Sequence, residues 1–147
     1  MAFEKMLEEY EARKKKTLAQ GGPAKIQRQH DRGWLSARER IAGLLDPDTF
    51  MEFGAFCTSD MPGMEDRTPA DSLICGYGSI DGRKVAVIVN DFTVLASTNA
   101  LVNLKKMLLF KKQVREYGIP LIWLGEAGGA RMPDAQGAER IMSAGAG

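Results

Sequence analysis

A glycine-rich segment, residues 125–131, is the part of this sequence whose residue types best suit chemistry. It reads GEAGGAR and follows a short apolar run at 121–124 that is typical of a buried strand. Glycines between a strand and a helix let the backbone turn tightly, so that free N–H groups can bind a phosphate or the oxyanion of a thioester enolate. The spacing is not G-x-G-x-x-G and no Gly-Lys-Ser/Thr follows, so both common nucleotide fingerprints fail. A purely structural turn is the alternative.

The elements around this turn form an α/β pattern. Residues 98–117 repeat leucines at helical spacing, and Gly118 is placed to cap the end of that helix. Residues 72–80 and 83–90 are strand-like, and the Asp-Gly between them is the preferred content of a two-residue hairpin turn. The second of these strands is continuously apolar, as expected for a strand covered on both faces. Strand, helix, strand, glycine turn and helix in this order predict an α/β fold.

The first part of the chain predicts a helical arm. Residues 2–19 place apolar side chains at helical spacing between charged ones, and Gly-Gly-Pro ends that helix. A second helical stretch follows. A third begins at Ser36, whose hydroxyl can form a capping box with the Glu39 carboxylate. We therefore expect an arm, residues 1–46, followed by an α/β part, residues 47–147.

Composition excludes several classes of protein. The chain has 147 residues, 44% of them hydrophobic, and a formal net charge of +1. This balance argues against a nucleic-acid binder, which usually carries a clear basic excess. No apolar run approaches the roughly 20 residues of a membrane span, and the charged N-terminus lacks the apolar core of a signal peptide. We therefore expect a cytoplasmic protein that contacts neither nucleic acid nor the membrane interior.

The cysteines and the single histidine predict no metal site. Cys57 and Cys75 are the only cysteines, whereas zinc normally takes four N or S ligands in close pairs. Reduced thiols fit a cytoplasmic chain, and an isolated disulfide is the alternative. His30 fits a surface or helix-end position. The acidic residues between 60 and 71 match no metal-ligand spacing.

Four motifs follow one another along the chain in a recognisable order. They are LSARERI with LLDP and FME (35–41, 44–47, 50–52), GYGSIDGR (76–83), DFTV (91–94) and GGAR (128–131). Each motif is weak alone, but together they resemble the biotin-dependent acyl-CoA carboxyltransferases. This family includes the β subunits of propionyl-CoA carboxylase and their decarboxylase relatives. The resemblance covers roughly residues 34–135.

The resemblance implies a crotonase-like fold (a ββα superhelix), an acyl-CoA substrate and biotin carried by a partner subunit. It also implies a homo-oligomer built from dimers, with a hexamer as the expected assembly, and a biotin carboxylase partner. In the family, CO₂ leaves carboxybiotin in place, the freed biotin nitrogen removes the α proton, and the enolate attacks the CO₂. Backbone N–H groups of glycine turns hold the developing oxyanion, so Gly128 or Gly129 is the expected donor. No side-chain nucleophile is needed.

Candidate substrate contacts follow from the same resemblance. Ser97 and Thr98 lie where the family's chain meets CoA at the start of a helix. Lys106 falls where the family carries a lysine and is expected either to meet a CoA phosphate or to be a solvated helix lysine. Ala130 and Arg131 complete the glycine element.

The sequence departs from the family pattern in three places. Residues 95–100 read LASTNA where the family has x-G-G-S-x-G, so both paired glycines and the later one are replaced. Glu126-Ala127 replaces Asp-Ser, which makes Glu126 a candidate general base. Residues 132–134 read MPD instead of Ile-Gln-Glu. These changes indicate a divergent subgroup and leave the acyl group open.

The function implied is the carboxyltransferase component of a biotin-dependent acyl-CoA carboxylase. The family's second glycine turn and its biotin-binding half would lie beyond Gly147, so the sequence looks cut. The isolated piece is therefore expected to be inactive. A decarboxylase subunit, a non-catalytic truncated fragment, and a crotonase-like hydrolase or isomerase without biotin are the alternatives.

Overall fold

Five helices and four strands make up the part of the chain, residues 2–135, that the computed structural model of the protein describes. In chain order they are α1 (Ala2–Leu18), α2 (Pro23–His30), α3 (Ala37–Leu44), β1 (Met51–Phe53), β2 (Leu73–Ile80), β3 (Arg83–Asn90), α4 (Leu101–Tyr117), β4 (Leu121–Leu124) and α5 (Met132–Ala135). Short 3-10 turns lie at Glu65–Arg67, Pro69–Ser72 and Leu95–Ser97. The expected continuation of the last helix lies outside the described residues.

The three helices of the predicted arm are confirmed, and a capping box starts the third. The Ser36 hydroxyl accepts from the Glu39 N–H at 3.4 Å, and the Glu39 carboxylate accepts from the Ser36 N–H at 2.7 Å. His30 ends α2, and its ring Nε2 lies 2.9 Å from Glu39 Oε2. The helix-end position expected for His30 is therefore confirmed, and this contact joins the second helix to the third.

The sheet has the order β1-β2-β3-β4, with β1, β2 and β3 antiparallel and β4 parallel to β3. The predicted hairpin between β2 and β3 is confirmed. Asp81 has a φ of 49° and Gly82 a φ of 75°, which are the positive values that the favoured two-residue hairpin turn requires. The parallel step to β4 needs a crossover, and α4 supplies it.

The strand β3 is buried on both faces, as its apolar sequence predicts. On one face it packs with the arm, in a cluster made of Ala37, Ile41, Leu45, Ile74, Val85, Val87 and Val89. On the other face it packs with α4, in a cluster made of Leu73, Cys75, Ala86, Ile88, Phe110 and Val114. Arm, sheet and helix are thus three layers, and burial of apolar side chains on both sides of β3 is their main stabilisation.

The helix α4 begins at Leu101, three residues later than the start predicted at 98. The reason is a tight 3-10 turn at Leu95–Ser97, after which Asn99 forms a bridge with Ala130 instead of entering the helix. The predicted end is confirmed, because Gly118 caps the helix in the left-handed conformation with a φ of 63°.

Both cysteines are free thiols in this structure. Cys75 lies in the core, and burial raises the pKa of its thiol to about 11. Within residues 2–135, no helix is both long and apolar enough to cross a membrane.

The turn between α1 and α2 fits so closely on the chain after β3 that a single methyl group should disturb it. A Cβ added at Gly21 would lie 2.0 Å from the Thr93 carbonyl oxygen. We expect Gly21→Ala to lower the free energy of unfolding by about 2–3 kcal/mol, since overpacking forces the backbone to shift. Gly43→Ala is the matched control, because a Cβ there meets nothing within 4 Å. In helix α3 this control should be neutral or stabilising, which urea unfolding of both variants would check.

The contact of Glu39 with His30 and the α3 cap predicts a pH effect. The His30 hydrogen bond, helped by the Ser36 N–H, lowers the pKa of Glu39 from 4.5 to about 2. Because the folded-state pKa is the lower one, the stability that this carboxylate contributes is complete above pH 4.5 and is lost as pH falls toward 2. Glu39→Gln retains a capping side chain without the charge. Its free energy of unfolding should therefore fall less steeply with acid, and equal slopes would contradict the prediction.

Candidate active site

The glycine turn, residues 125–131, is held along residues 96–99 by three backbone hydrogen bonds. The Gly128 N–H donates to the Ala96 carbonyl at 2.8 Å, and the Asn99 N–H donates to the Gly129 carbonyl at 2.8 Å. The Arg131 N–H donates to the Asn99 carbonyl at 2.7 Å. A Cβ at Gly128 would lie 3.0 Å from the Ala96 Cβ, so only a glycine fits there without movement.

Two successive amides of this turn remain available. Among residues 2–135, the N–H groups of Gly129 and Ala130 have no hydrogen-bond acceptor, and both residues are exposed. Gly129 has a φ of 110°, a conformation open to glycine and strained for other residues. The Gly128 amide, the other donor expected from the sequence, is already occupied by Ala96. Two adjacent exposed N–H groups on a turn whose backbone is held by hydrogen bonds can donate to a negatively charged oxygen.

The segment beside the turn has a left-handed backbone without a glycine. Leu95, Ala96 and Ser97 have φ values of 47°, 52° and 48°. Ala96 and Ser97 occupy the positions where the resembled family has paired glycines. Because both residues carry a Cβ, the left-handed conformation is sterically strained here. Such strain persists only where surrounding contacts determine it, and it often accompanies functional sites.

The hydroxyl groups of Ser97 and Thr98 are engaged within the protein. Ser97 is buried; its hydroxyl donates to the Ser72 carbonyl at 3.0 Å and accepts from Asn90 Nδ2 at 2.8 Å. Thr98 is half-buried, and its hydroxyl donates to the Leu95 carbonyl at 2.9 Å. Ser97 is therefore a buried support of the segment beside the turn, whereas Thr98 remains partly exposed.

Arg131 is buried and joins the turn to the residues before β2. Its Nη1 donates to Asp71 Oδ1 at 2.6 Å and to Asp134 Oδ2 at 3.2 Å. Its other nitrogens donate to the Thr98 carbonyl and hydroxyl at 3.2 and 3.3 Å. Burial raises the pKa of Asp71, and the adjacent guanidinium of Arg131 opposes that shift. Asp134 occupies the position of the family's glutamate, so the departure at 132–134 keeps an acid where Arg131 needs one.

Lys106 is also buried, and the solvated alternative expected from the sequence is wrong. Only 4% of the residue is exposed, and its Nζ donates to the carbonyls of Ala70 and Leu73 at 3.1 and 2.6 Å. Burial lowers the pKa of its ammonium group. The ammonium group thus holds the turn before β2 by hydrogen bonds from the protein interior. Lys106 therefore has no exposed surface with which to contact a CoA phosphate.

Glu126, the candidate general base, lies beside a cation from the arm. Its Oε2 is 3.7 Å from Arg40 Nη2, and that same nitrogen donates to the Asn90 carbonyl at 2.8 Å. The contact supports a role in holding the turn against α3.

Two residues of the site were not predicted from the sequence. They are Asp71 and Asn90, which support the turn. The sequence shows that Asp71 lies shortly before one strand and that Asn90 ends the next. It does not show which distant residues these side chains contact. No group of three or more His, Cys, Asp or Glu side chains among the described residues is arranged to hold a metal ion.

Comparison with known proteins gives the family. The family model of the carboxyl transferase domain matches residues 28–146. The chain therefore belongs to the carboxyl transferase domain family. The matched region begins within the predicted arm and includes the glycine turn.

Individual relatives agree with this assignment. The carboxyltransferase subunit of propionyl-CoA carboxylase from Haloferax mediterranei is 37% identical over 137 residues, covering 91% of this chain and 27% of that protein. Methylmalonyl-CoA decarboxylase subunit alpha from Propionigenium modestum is 35% identical over 135 residues, covering 89% of this chain and 26% of that protein. The chain thus spans about a quarter of the length of these relatives.

A solved structure supports the fold. The crystal structure of transcarboxylase 12S with methylmalonyl-coenzyme A and methylmalonic acid bound matches with a TM-score of 0.84 and 31% identity. The match covers 95% of this chain and 28% of that chain. The predicted crotonase-like α/β fold is therefore confirmed.

The left-handed turn beside the site predicts a stabilising substitution. Ala96 has a φ of 52°, and glycine adopts this conformation without the clash of a Cβ. We expect Ala96→Gly to raise the free energy of unfolding by about 1 kcal/mol. Ala42→Gly is the control; it lies within helix α3, where glycine should cost about 1 kcal/mol instead. Changes of the same sign in both variants, measured by urea unfolding, would contradict the assignment of strain to residue 96.

Proposed function

We propose that the complete polypeptide carrying this sequence is the carboxyltransferase component of a biotin-dependent acyl-CoA carboxylase. It would transfer CO₂ from carboxybiotin to the α carbon of an acyl-CoA through an oxyanion-stabilised enolate. The observation that carries the proposal is the pair of adjacent exposed amides at Gly129 and Ala130. The likeness to a propionyl-CoA carboxylase subunit and to a transcarboxylase with methylmalonyl-coenzyme A bound supports the substrate class.

The proposed chemistry of this chain is electrostatic. The N–H of Gly129, and not that of Gly128, donates to the thioester oxygen as it becomes an enolate oxygen, and the Ala130 N–H is placed to assist. Fixed donors of this kind stabilise the transition state because they need no reorganisation when the charge develops. Carboxybiotin on a partner supplies the CO₂ and the nitrogen that removes the α proton. This chain's part is then to orient the acyl group and hold its charge.

Some of the other candidate residues contact the substrate in this proposal, and others hold the glycine turn or its neighbouring chain in place. We propose that Thr98, which is partly exposed, and the backbone at Ala130 contact the acyl-CoA. Ser97 and Arg131 hold the turn in place. Lys106 supports the chain before β2 and is not carried into the substrate site.

The domain division, assembly and location are part of the same proposal. Residues 1–46 form a helical arm, and residues 47–147 are the first part of the catalytic N domain. The protein is cytoplasmic, works with a biotin carboxylase and biotin carrier partner, and assembles from dimers into a hexamer. The hexamer assembly named for transcarboxylase 12S supports the last point.

A decarboxylase subunit is the second candidate. The likeness to the alpha subunit of methylmalonyl-CoA decarboxylase favours it, since its identity of 35% is close to the 37% of the carboxylase subunit. Both reactions pass through the same enolate, so the glycine turn serves either direction. Net CO₂ release from the complete protein would favour the decarboxylase, and ATP-dependent carboxylation with its partners would favour the carboxylase.

Gly129 provides the direct test of the proposed function. The assay is transfer of CO₂ from methylmalonyl-CoA or malonyl-CoA to free biotin, measured with the complete polypeptide. We expect Gly129→Ala to lower the rate on the order of 100- to 1000-fold, because alanine disfavours a φ of 110° and the donor would turn away.

Gly63→Ala is the matched control for this test. Gly63 also has a positive φ, at 75°, and a Cβ meets nothing within 4 Å at either glycine. The control should therefore bear a similar backbone strain and keep its transfer rate.

No transfer by the wild type with either substrate would overturn the proposed function, and full activity of Gly129→Ala would overturn the role of Gly129. The 147-residue chain alone is expected to be inactive, because it spans only about a quarter of the length of the relatives it matches.

A further inference from the structure

Asn90, the last residue of β3, binds two elements with opposite ends of its side-chain amide. Its Oδ1 accepts from the Trp123 indole Nε1 at 2.9 Å, and its Nδ2 donates to the Ser97 hydroxyl at 2.8 Å. Its backbone carbonyl accepts from Arg40 at 2.8 Å. Only 4% of the residue is exposed, so water cannot easily replace these partners.

Both side-chain partners lead to the glycine turn from different directions. Trp123 lies in β4, and its indole nitrogen is 3.5 Å from the position of a Cβ on Gly125, where the turn begins. Ser97 follows Ala96, whose carbonyl holds the Gly128 N–H at 2.8 Å. Asn90 therefore connects the entry of the turn with the segment that supports its middle. Trp123 and Ser97 both bond to it and have no hydrogen bond to each other.

We infer that Asn90 is a positioning residue of the proposed carboxyl transfer, which sets the orientation of the Gly129 and Ala130 amides through Trp123 and Ser97. The inference rests on the proposed function. The bridge needs an acceptor toward the indole and a donor toward the hydroxyl, and an amide supplies both. An aspartate lacks the donor, and a leucine of similar shape lacks both. A displacement of about 1 Å at a reacting group can cost on the order of 100-fold in rate, so a loosened bridge should affect catalysis strongly.

The first experiment measures kcat and KM for carboxyl transfer by the complete polypeptide. Asn90→Leu removes both bonds and Trp123→Phe removes one. Ser97→Ala removes the other, together with the Ser97 bond to the Ser72 carbonyl. We expect kcat to fall about 10- to 100-fold for Asn90→Leu while KM for the acyl-CoA changes less than about threefold, since the donors act on the charge that develops in the transition state. Trp34→Phe and Ser79→Ala are the matched controls away from the site and should change kcat less than about twofold.

The second experiment distinguishes a bridge from two separate supports. If Asn90 transmits both contacts, adding Trp123→Phe to Asn90→Leu should cause no further loss of kcat. The double variant Trp123→Phe/Ser97→Ala should also lose less than the product of its single losses. Purely multiplicative losses, or an unchanged kcat in Asn90→Leu, would overturn the inference. If Asn90→Leu does not fold, the two single variants and their double carry the test.

Hydrogen exchange of the peptide containing residues 125–131 gives a readout independent of activity. It should become faster in Asn90→Leu, Trp123→Phe and Ser97→Ala and remain unchanged in the two controls. If the wild type transfers no CO₂ but exchange follows this pattern, the proposed function fails and the positioning of the turn by Asn90 stands. If the wild type is active and exchange is unchanged in all three variants, the positioning role fails and the proposed function stands.

Discussion

The buried ion pair between Arg131 and Asp71 is the interaction on which the candidate site depends. It closes the glycine turn onto the chain that leads into β2, and Asp134 adds a second carboxylate to the same guanidinium. Two charges taken out of water contribute little net stability even when they are well paired, but removal of one partner leaves the other buried at a cost of about 3–5 kcal/mol. The pair therefore specifies one position for the turn.

Around this pair the protein holds two left-handed turns of residues other than glycine, Ala70–Ser72 and Leu95–Ser97. Side chains of α4 stabilise the first, because Asn103 donates to the Asp71 carbonyl and Lys106 donates to the carbonyls of Ala70 and Leu73. The Ser97 hydroxyl joins the second to the first. Buried hydrogen bonds thus offset the backbone strain. These two turns together support the glycine turn, which exposes the amides of Gly129 and Ala130.

The three layers of arm, sheet and α4 hold these supporting turns in position. The strand β3 is covered by the arm on one face and by α4 on the other, and its last residue, Asn90, receives Arg40 from the arm and Trp123 from β4. The arm is therefore part of the support of the glycine turn as well as of the core. A site formed by backbone N–H groups needs such support, since its donors have no side-chain freedom to correct a misplaced backbone.

Local patterns in the sequence determined the helices, the hairpin, the capping box at Ser36 and the glycine turn, because each depends on residues a few positions apart. The order of the motifs also indicated the family and its fold. Only the tertiary structure decided which amides of the turn are free, since the Gly128 N–H is taken by a carbonyl over thirty positions earlier. For the same reason, the sequence did not reveal that Lys106 and Arg131 are buried. The carbonyls that accept hydrogen bonds from Lys106, and the Asp71 carboxylate that pairs with Arg131, reach these side chains only when the chain folds.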